Sequence, residues 1–97
     1  MQHGFIQCEE ARTLLEQGAQ LIDVRQPEEY LLGAAPGAIN IPLPVISSAL
    51  DQLRRDVPVL LYCVSGRRSA LAQSLLHTHG FTDVHNVIST GWLRQCA

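Results

Sequence analysis

The sequence predicts an α/β fold: a mostly parallel central sheet of about five strands with helices on both faces. Three observations carry this expectation. Short apolar runs alternate with stretches whose apolar residues recur at helical spacing. The run Val57-Pro58-Val59-Leu60-Leu61-Tyr62 is apolar without interruption, the pattern of a strand buried on both faces, as in parallel sheets. Gly18 and Gly80 stand where two of the helical stripes stop. Crossovers between parallel strands are right-handed.

The elements follow in order. Phe5-Ile6 reads as a short strand. Ala11, Leu14 and Leu15 then share a helical face, with Glu9 and Glu10 at the positive dipole end and Gly18 as the stop. Gln7 occupies the N-cap position, where Ser or Thr would serve better. Leu21 to Val24 reads as a buried strand. Pro27-Glu28-Glu29-Tyr30 opens a helix, with proline at its first position and acids in its first turn. Gly33 and Gly37 break the chain beyond it. Ala38 to Ile41 is a further strand, ended by Pro42 and Pro44. Ile46, Ala49, Leu50 and Leu53 form the next helical stripe, with Asp51, Arg54 and Arg55 off it. The central strand over 57–62 leads to a third stripe, Ala72, Leu75, Leu76 and His79, closed by Gly80. Val84 to Ile88 is the last strand, and Gly91 to Cys96 a final turn of helix that Trp92 packs onto the body.

Composition bounds the function. The chain has 97 residues, 46% hydrophobic and 16% charged, which suits one folded domain over 1–97 rather than two domains or a disordered chain. A net charge of −2 argues against nucleic acid or an anionic membrane as the main partner. All seven basic residues are Arg, so chemistry that needs a lysine amine is excluded and the planar oxyanion-binding fork of Arg remains. Cys8, Cys63 and Cys96 are too widely spaced for a CxxC or Cys/His zinc site, and their odd number argues against a disulfide framework. No metal or organic cofactor is expected. No apolar run approaches the ~20 residues of a membrane span, and Met-Gln-His-Gly-Phe-Ile lacks the pattern of a signal peptide. A reducing cytoplasm is the expected setting.

The chemistry is expected in the loop Cys63-Val64-Ser65-Gly66-Arg67-Arg68-Ser69, between the most apolar strand and a helix. In parallel sheets ligands sit beyond the carboxyl ends of the strands, where Cys63 falls. Gly66 lets the loop turn so that successive N–H groups point inward as an anion nest. The next helix adds its dipole, and Arg67 and Arg68 add full charges. Each of these favours thiolate over thiol; such sites lower an ordinary cysteine pKa of ~8.5 to roughly 3.5–7.5. The residues alone leave open which arginine faces the site. They also leave open whether Ser69 caps the helix or donates to the sulfur. His77 and His79 do not share a helix face, so a zinc pair between them is not expected; His79 lies on the apolar stripe and reads as half-buried, and His77 faces solvent.

This loop resembles the C-x-x-G-x-R-[ST] active-site loop of single-domain rhodaneses, the thiosulfate sulfurtransferases. Leu21-Ile22-Asp23-Val24-Arg25-Gln26-Pro27-Glu28-Glu29-Tyr30 resembles that family's hDVR-x-x-x-E-[FY] element, and Gly37-Ala38-Ile39-Asn40-Ile41-Pro42 its GA-x-NIP element. The likeness runs in order over nearly the whole chain. It departs from the family at Ala34, where a histidine is usual, at Thr90-Gly91, where a Gly-Gly pair is usual, and in a short final helix.

The resemblance implies a rhodanese-like fold and a mechanism. Cys63 attacks the outer sulfur of thiosulfate, releases sulfite and carries the sulfur as a persulfide to cyanide, a thiol or a protein acceptor. Val64, Ser65, Gly66, Arg67, Arg68 and Ser69 bind the substrate, with Arg68 at the family's basic position. Asp23 and Arg25 support the site through a salt bridge. The alternatives are a persulfide carrier that works with protein partners, or a cysteine-dependent phosphatase or arsenate reductase on the same fold. Related phosphatases carry a Cys-x5-Arg loop. The interval from Cys63 to Arg68 is Cys-x4-Arg, a smaller ring suited to a single sulfane sulfur.

Overall fold

The chain folds around Val59–Tyr62, the strand whose four residues are all buried. The structure, a computed structural model, describes Ile6 and residues 8–87. Its elements are α1 (Cys8–Glu16), β1 (Gln20–Asp23), α2 (Pro27–Leu32), β2 (Ile39–Asn40), two 3-10 segments (Leu43–Ser48 and Leu50–Gln52), β3 (Val59–Tyr62), α3 (Arg67–Thr78) and β4 (Val84–Asn86). The four strands lie in the order β2-β1-β3-β4, and every pairing is parallel. The run that reads as apolar on both faces is therefore an interior strand. Two-sided burial is its physical requirement.

Alternation along β3 sorts the core into two layers. Val59, Leu61 and Cys63 join Ile22, Val24, Ile46, Ala72 and Leu76 on one face, under α3 and the 3-10 segments. Leu60 and Tyr62 join Ala11, Leu21 and Val87 on the other, with Tyr30 packed against them, so α1 and α2 cover that side. Helices flank both faces, as the sequence predicts. Each fully buried Leu, Ile or Val contributes about 1.5–3 kcal/mol relative to exposure.

The stripe Ile46, Ala49, Leu50, Leu53 is not an α-helix but two 3-10 turns. Pro42 takes the N-cap position and Pro44 follows inside the first turn, while Ala49 (φ −118°) interrupts and Leu53 is extended. Residues three apart eclipse in a 3-10 helix, so Ile46 and Ala49 still reach the core, and Leu53 is buried with them. The strand expected over 38–41 is only Ile39–Asn40, since Pro42 cannot extend a ladder. His79 is exposed rather than half-buried. The helix ends at Thr78, and Gly80 (φ +91°) turns the chain away before His79 can face the core. His77 is exposed as expected.

The described residues contain four strands rather than about five. Phe5 of the expected first strand, Gln7, Ile88 and the expected turn over Gly91 to Cys96 with Trp92 lie outside the described residues. No helix among the described residues is long and apolar enough to cross a membrane. Because every pairing is parallel, the carboxyl ends of β1 and β3 meet at one edge, with Asp23 opposite Tyr62. Cys63 comes next.

Candidate active site

Cys63 leaves β3 at this edge, and α3 begins at Arg67. Gly66 makes the turn between them. It sits at the N-cap of α3 in the left-handed region (φ +91°), a conformation glycine adopts without a Cβ clash. The turn swings its N–H to 3.2 Å from the Cys63 sulfur. Burial alone would push the Cys63 thiol up. The Ser69 hydroxyl, when its proton faces the sulfur, and the backbone N–H groups of Ser69, Gly66 and Ser65 outweigh it and hold the thiol below its ordinary value. The N–H groups in the first turn of a helix have no intrahelical partner, which makes the Ser69 amide available. The sulfur itself is buried, with Cys63 only 3% exposed.

Ser69 is not the helix cap. It stands at the third helical position, and Gly66 occupies the cap. Its hydroxyl lies 3.6 Å from the Cys63 sulfur and donates to Asn86 Oδ1 at 2.8 Å. Val64 and Ser65 are exposed at the turn.

The two arginines differ. Arg68 is held in a two-pronged pair by Glu29 of α2, at 2.8 and 3.1 Å. The Arg68 bond, and then the N–H of Gln26, bring the Glu29 carboxyl down to about 2. The same pairing raises Arg68 further. Arg67 is exposed and has no carboxylate partner among the described residues. The free positive charge at the loop is thus that of Arg67, while that of Arg68 is balanced.

Asp23 and Arg25 form a brace beneath the loop. Arg25 donates to both Asp23 oxygens through its Nε, and Nη2 reaches Oδ2 at 2.7 Å and the Gly33 carbonyl at 2.7 Å. The Tyr62 hydroxyl donates to Asp23 Oδ2 at 2.7 Å and accepts the Ala35 N–H. Burial first, and then its bond to the carboxylate, pushes the Tyr62 hydroxyl up to about 12. Asp23 is fully buried, and a buried carboxylate is tolerated only with such partners. The brace ties the end of β1 to the end of β3, one residue before Cys63.

Three residues at this site escape a reading of the sequence as a chemical site: Glu29, Tyr62 and Asn86. Gln26 and Glu29 have capping-box spacing and do form one, with the Gln26 N–H donating to Glu29 Oε1 at 2.8 Å. That spacing does not reveal Arg68, which is 39 residues away. Asn86 ends β4 beside His85, and nothing in that three-residue strand marks it as a fully buried amide with a polar partner. Cys8 opens α1 and is half-buried; Cys96 lies outside the described residues. Among the described residues no group of three His, Cys, Asp or Glu side chains could hold a metal ion. A concavity against Leu50, Asp51, Leu53, Arg55 and Asp56 contains no nucleophile.

A buried thiol held below its ordinary value among N–H donors can, once ionised, attack an electrophilic sulfur and keep the transferred atom beside the same donors. The chain is similar to known proteins over most of its length. The model of the rhodanese-like domain family matches residues 7–93. YqhL of Bacillus subtilis is 44% identical over 69 residues, covering 71% of this chain and 55% of that protein, so the matched part spans little more than half of that relative's length. Thiosulfate sulfurtransferase GlpE of Pseudomonas paraeruginosa is 33% identical over 79 residues, 81% of this chain and 72% of that one. The human single-domain sulfurtransferase TSTD1 superposes with a TM-score of 0.79 at 30% identity, covering 88% of each chain.

Proposed function

The chain belongs to the rhodanese-like domain family, and from that premise we propose that it transfers sulfane sulfur through a persulfide on Cys63. The supporting observation is the Cys63 sulfur itself: buried, 3.2 Å from the Gly66 N–H, and held below the ordinary thiol value. Thiosulfate is the donor of choice for a test, given the name of the Pseudomonas relative. The Cys63 thiolate attacks its outer sulfur and forms an S–S bond. The bond to the sulfonate sulfur breaks, and its electron pair leaves with sulfite. The terminal persulfide sulfur then carries the negative charge, stabilised by the loop N–H groups. Cyanide or a thiol, free or on a protein, attacks that sulfur, and the bonding pair returns to Cys63 as thiolate.

In this reading Arg67 draws the anion to the loop and Arg68, tied to Glu29, shapes its wall. Val64 to Ser69 supply the cradle, and Asp23 and Arg25 hold the strand ends that carry it. The four-residue interval between Cys63 and Arg68 favours a single sulfur over a phosphate. Residues 1–97 act as one domain, and a reducing cytoplasm keeps Cys63 free for reaction.

Intact-mass spectrometry after thiosulfate treatment tests the proposal. The wild-type chain gains one sulfur atom, cyanide removes it, and Cys63→Ser gains none. A fast-alkylating Cys63 that gains no sulfur from thiosulfate or from a small persulfide donor overturns the reading. Loading by the persulfide but not by thiosulfate keeps persulfide transfer and removes thiosulfate as donor.

A further inference from the structure

Four hydrogen-bonding contacts behind the loop close into a ring. The Cys63 sulfur and the Ser69 hydroxyl lie 3.6 Å apart. Ser69 Oγ donates to Asn86 Oδ1 at 2.8 Å, Asn86 Nδ2 donates to the Gly66 carbonyl at 3.0 Å, and the Gly66 N–H returns to the sulfur at 3.2 Å. Ser69 and Asn86 are fully buried.

Donor and acceptor rules fix the direction of this ring. The Gly66 carbonyl can only accept, so the Asn86 NH2 faces it. Asn86 Oδ1 then faces Ser69 and can only accept, so the single Ser69 proton points at Asn86. With that proton committed, the contact between Ser69 and Cys63 needs the proton of the thiol. Every donor in the thiol state points the same way round the ring, an arrangement in which each bond polarises the next.

Ionisation breaks this order. The thiol proton leaves to water, and the sulfur becomes an acceptor only. Ser69 then either turns its proton to the sulfur and gives up its bond to Asn86, or leaves the thiolate facing hydroxyl lone pairs. Asn86 and the thiolate compete for one proton. We propose that Asn86 is a positioning residue for the Cys63 nucleophile: by holding the Ser69 proton, it sets how readily the sulfur gives up its own. The proposal rests on Cys63 being the working nucleophile of the sulfur-transfer reading.

Among the described residues, the other charged or titratable groups near the loop and β4 are Arg68 with Glu29, the exposed Arg67, Asp23 with Arg25 and the Tyr62 hydroxyl, and His85 of β4 with Asp83 just before it. They are unchanged in every variant below. The Gly66 carbonyl also accepts the Ala70 N–H at 3.0 Å, so it keeps a donor when the Asn86 amide is removed.

The experiment is the pH dependence of Cys63 alkylation by iodoacetamide in the full chain, followed on the Cys63 peptide by mass spectrometry. Asn86→Leu releases the Ser69 proton to the sulfur and lowers the midpoint by roughly 0.5–1 unit, a threefold to tenfold gain in thiolate below it. Asn86→Asp accepts more strongly, adds negative charge and raises the midpoint. In a Ser69→Ala background, Asn86→Leu no longer moves it. A residue that only holds the loop in place changes the alkylation rate at every pH without these opposite shifts. Circular dichroism checks folding; if the leucine variant unfolds, the smaller neutral Asn86→Ala and its Ser69→Ala double variant carry the same test. Unmoved midpoints, shifts of one sign in both variants, or a leucine shift that survives Ser69→Ala overturn the proposal. Sulfur loading of the wild-type chain is measured alongside: its absence ends the sulfur-transfer reading, while the alkylation midpoints still decide the role of Asn86.

Discussion

Glu29→Gln separates the charge of Arg68 from the carboxylate that balances it. The pair has two short bonds, but each side chain is 34% exposed, so solvent screens much of the attraction. Pairs of this exposure are worth about 0.2–1 kcal/mol. Removing the carboxylate leaves the Arg68 charge free for an anionic donor, and the same energy becomes a roughly 1.5- to 5-fold lower KM for thiosulfate. The effect on kcat is smaller, because Cys63 and its N–H donors are untouched. Gln at this position can still accept the Gln26 N–H, so the start of α2 is retained. The assay is initial-rate sulfur transfer from thiosulfate to cyanide at low ionic strength, repeated in salt. The advantage of the variant shrinks as the Debye length falls from ~10 Å at 0.1 M to ~3 Å at 1 M. A KM that is unchanged or higher at low salt refutes the reasoning, and means that Glu29 presents Arg68 to the donor rather than neutralising it.

Other perturbations test the supports of the site. Tyr62→Phe removes a buried hydroxyl that donates to Asp23 and accepts the Ala35 N–H; with Arg25 still holding the carboxylate, the expected loss is about 2 kcal/mol, or roughly 10 °C in Tm, with sulfur loading retained. A loss below about 0.5 kcal/mol in urea unfolding contradicts the brace. Glu29, brought from 4.5 down to about 2, stabilises the fold above its unfolded value, and that contribution is lost as pH falls from about 4.5 through about 2. Its exposure limits the effect to less than about 1 kcal/mol, so the stability gap between wild type and Glu29→Gln in urea narrows between pH 7 and pH 3. Gly66→Ala forces a Cβ into φ +91° at about 1–2 kcal/mol. Both Tm and the rate of Cys63 alkylation at neutral pH fall; an alkylation rate equal to wild type shows that the Gly66 N–H does not serve the sulfur.

What could be read from the residues was what is encoded within a few positions of itself. The apolar run ending at Tyr62 carries its own two-sided burial, and residues 63–69 carry the candidate nucleophile, the left-handed turn and the helix start in one stretch of chain. Local pattern was weaker where two geometries bury the same side chains. Ile46 and Ala49 face the core equally well from an α-helix or a 3-10 turn, and their spacing does not choose between them. Pairings between distant residues were decided by the tertiary structure alone. Arg68 meets Glu29, and Tyr62 meets Asp23, across 39 residues each, and Ser69 meets Asn86 across 17. Hydrogen bonds and ion pairs act over a few ångströms in space, with no periodicity along the chain. The parallel order β2-β1-β3-β4 brings these groups to one edge. The sequence by itself therefore singled out the Cys63 sulfur as the candidate nucleophile, and the fold decided which charges and protons surround it.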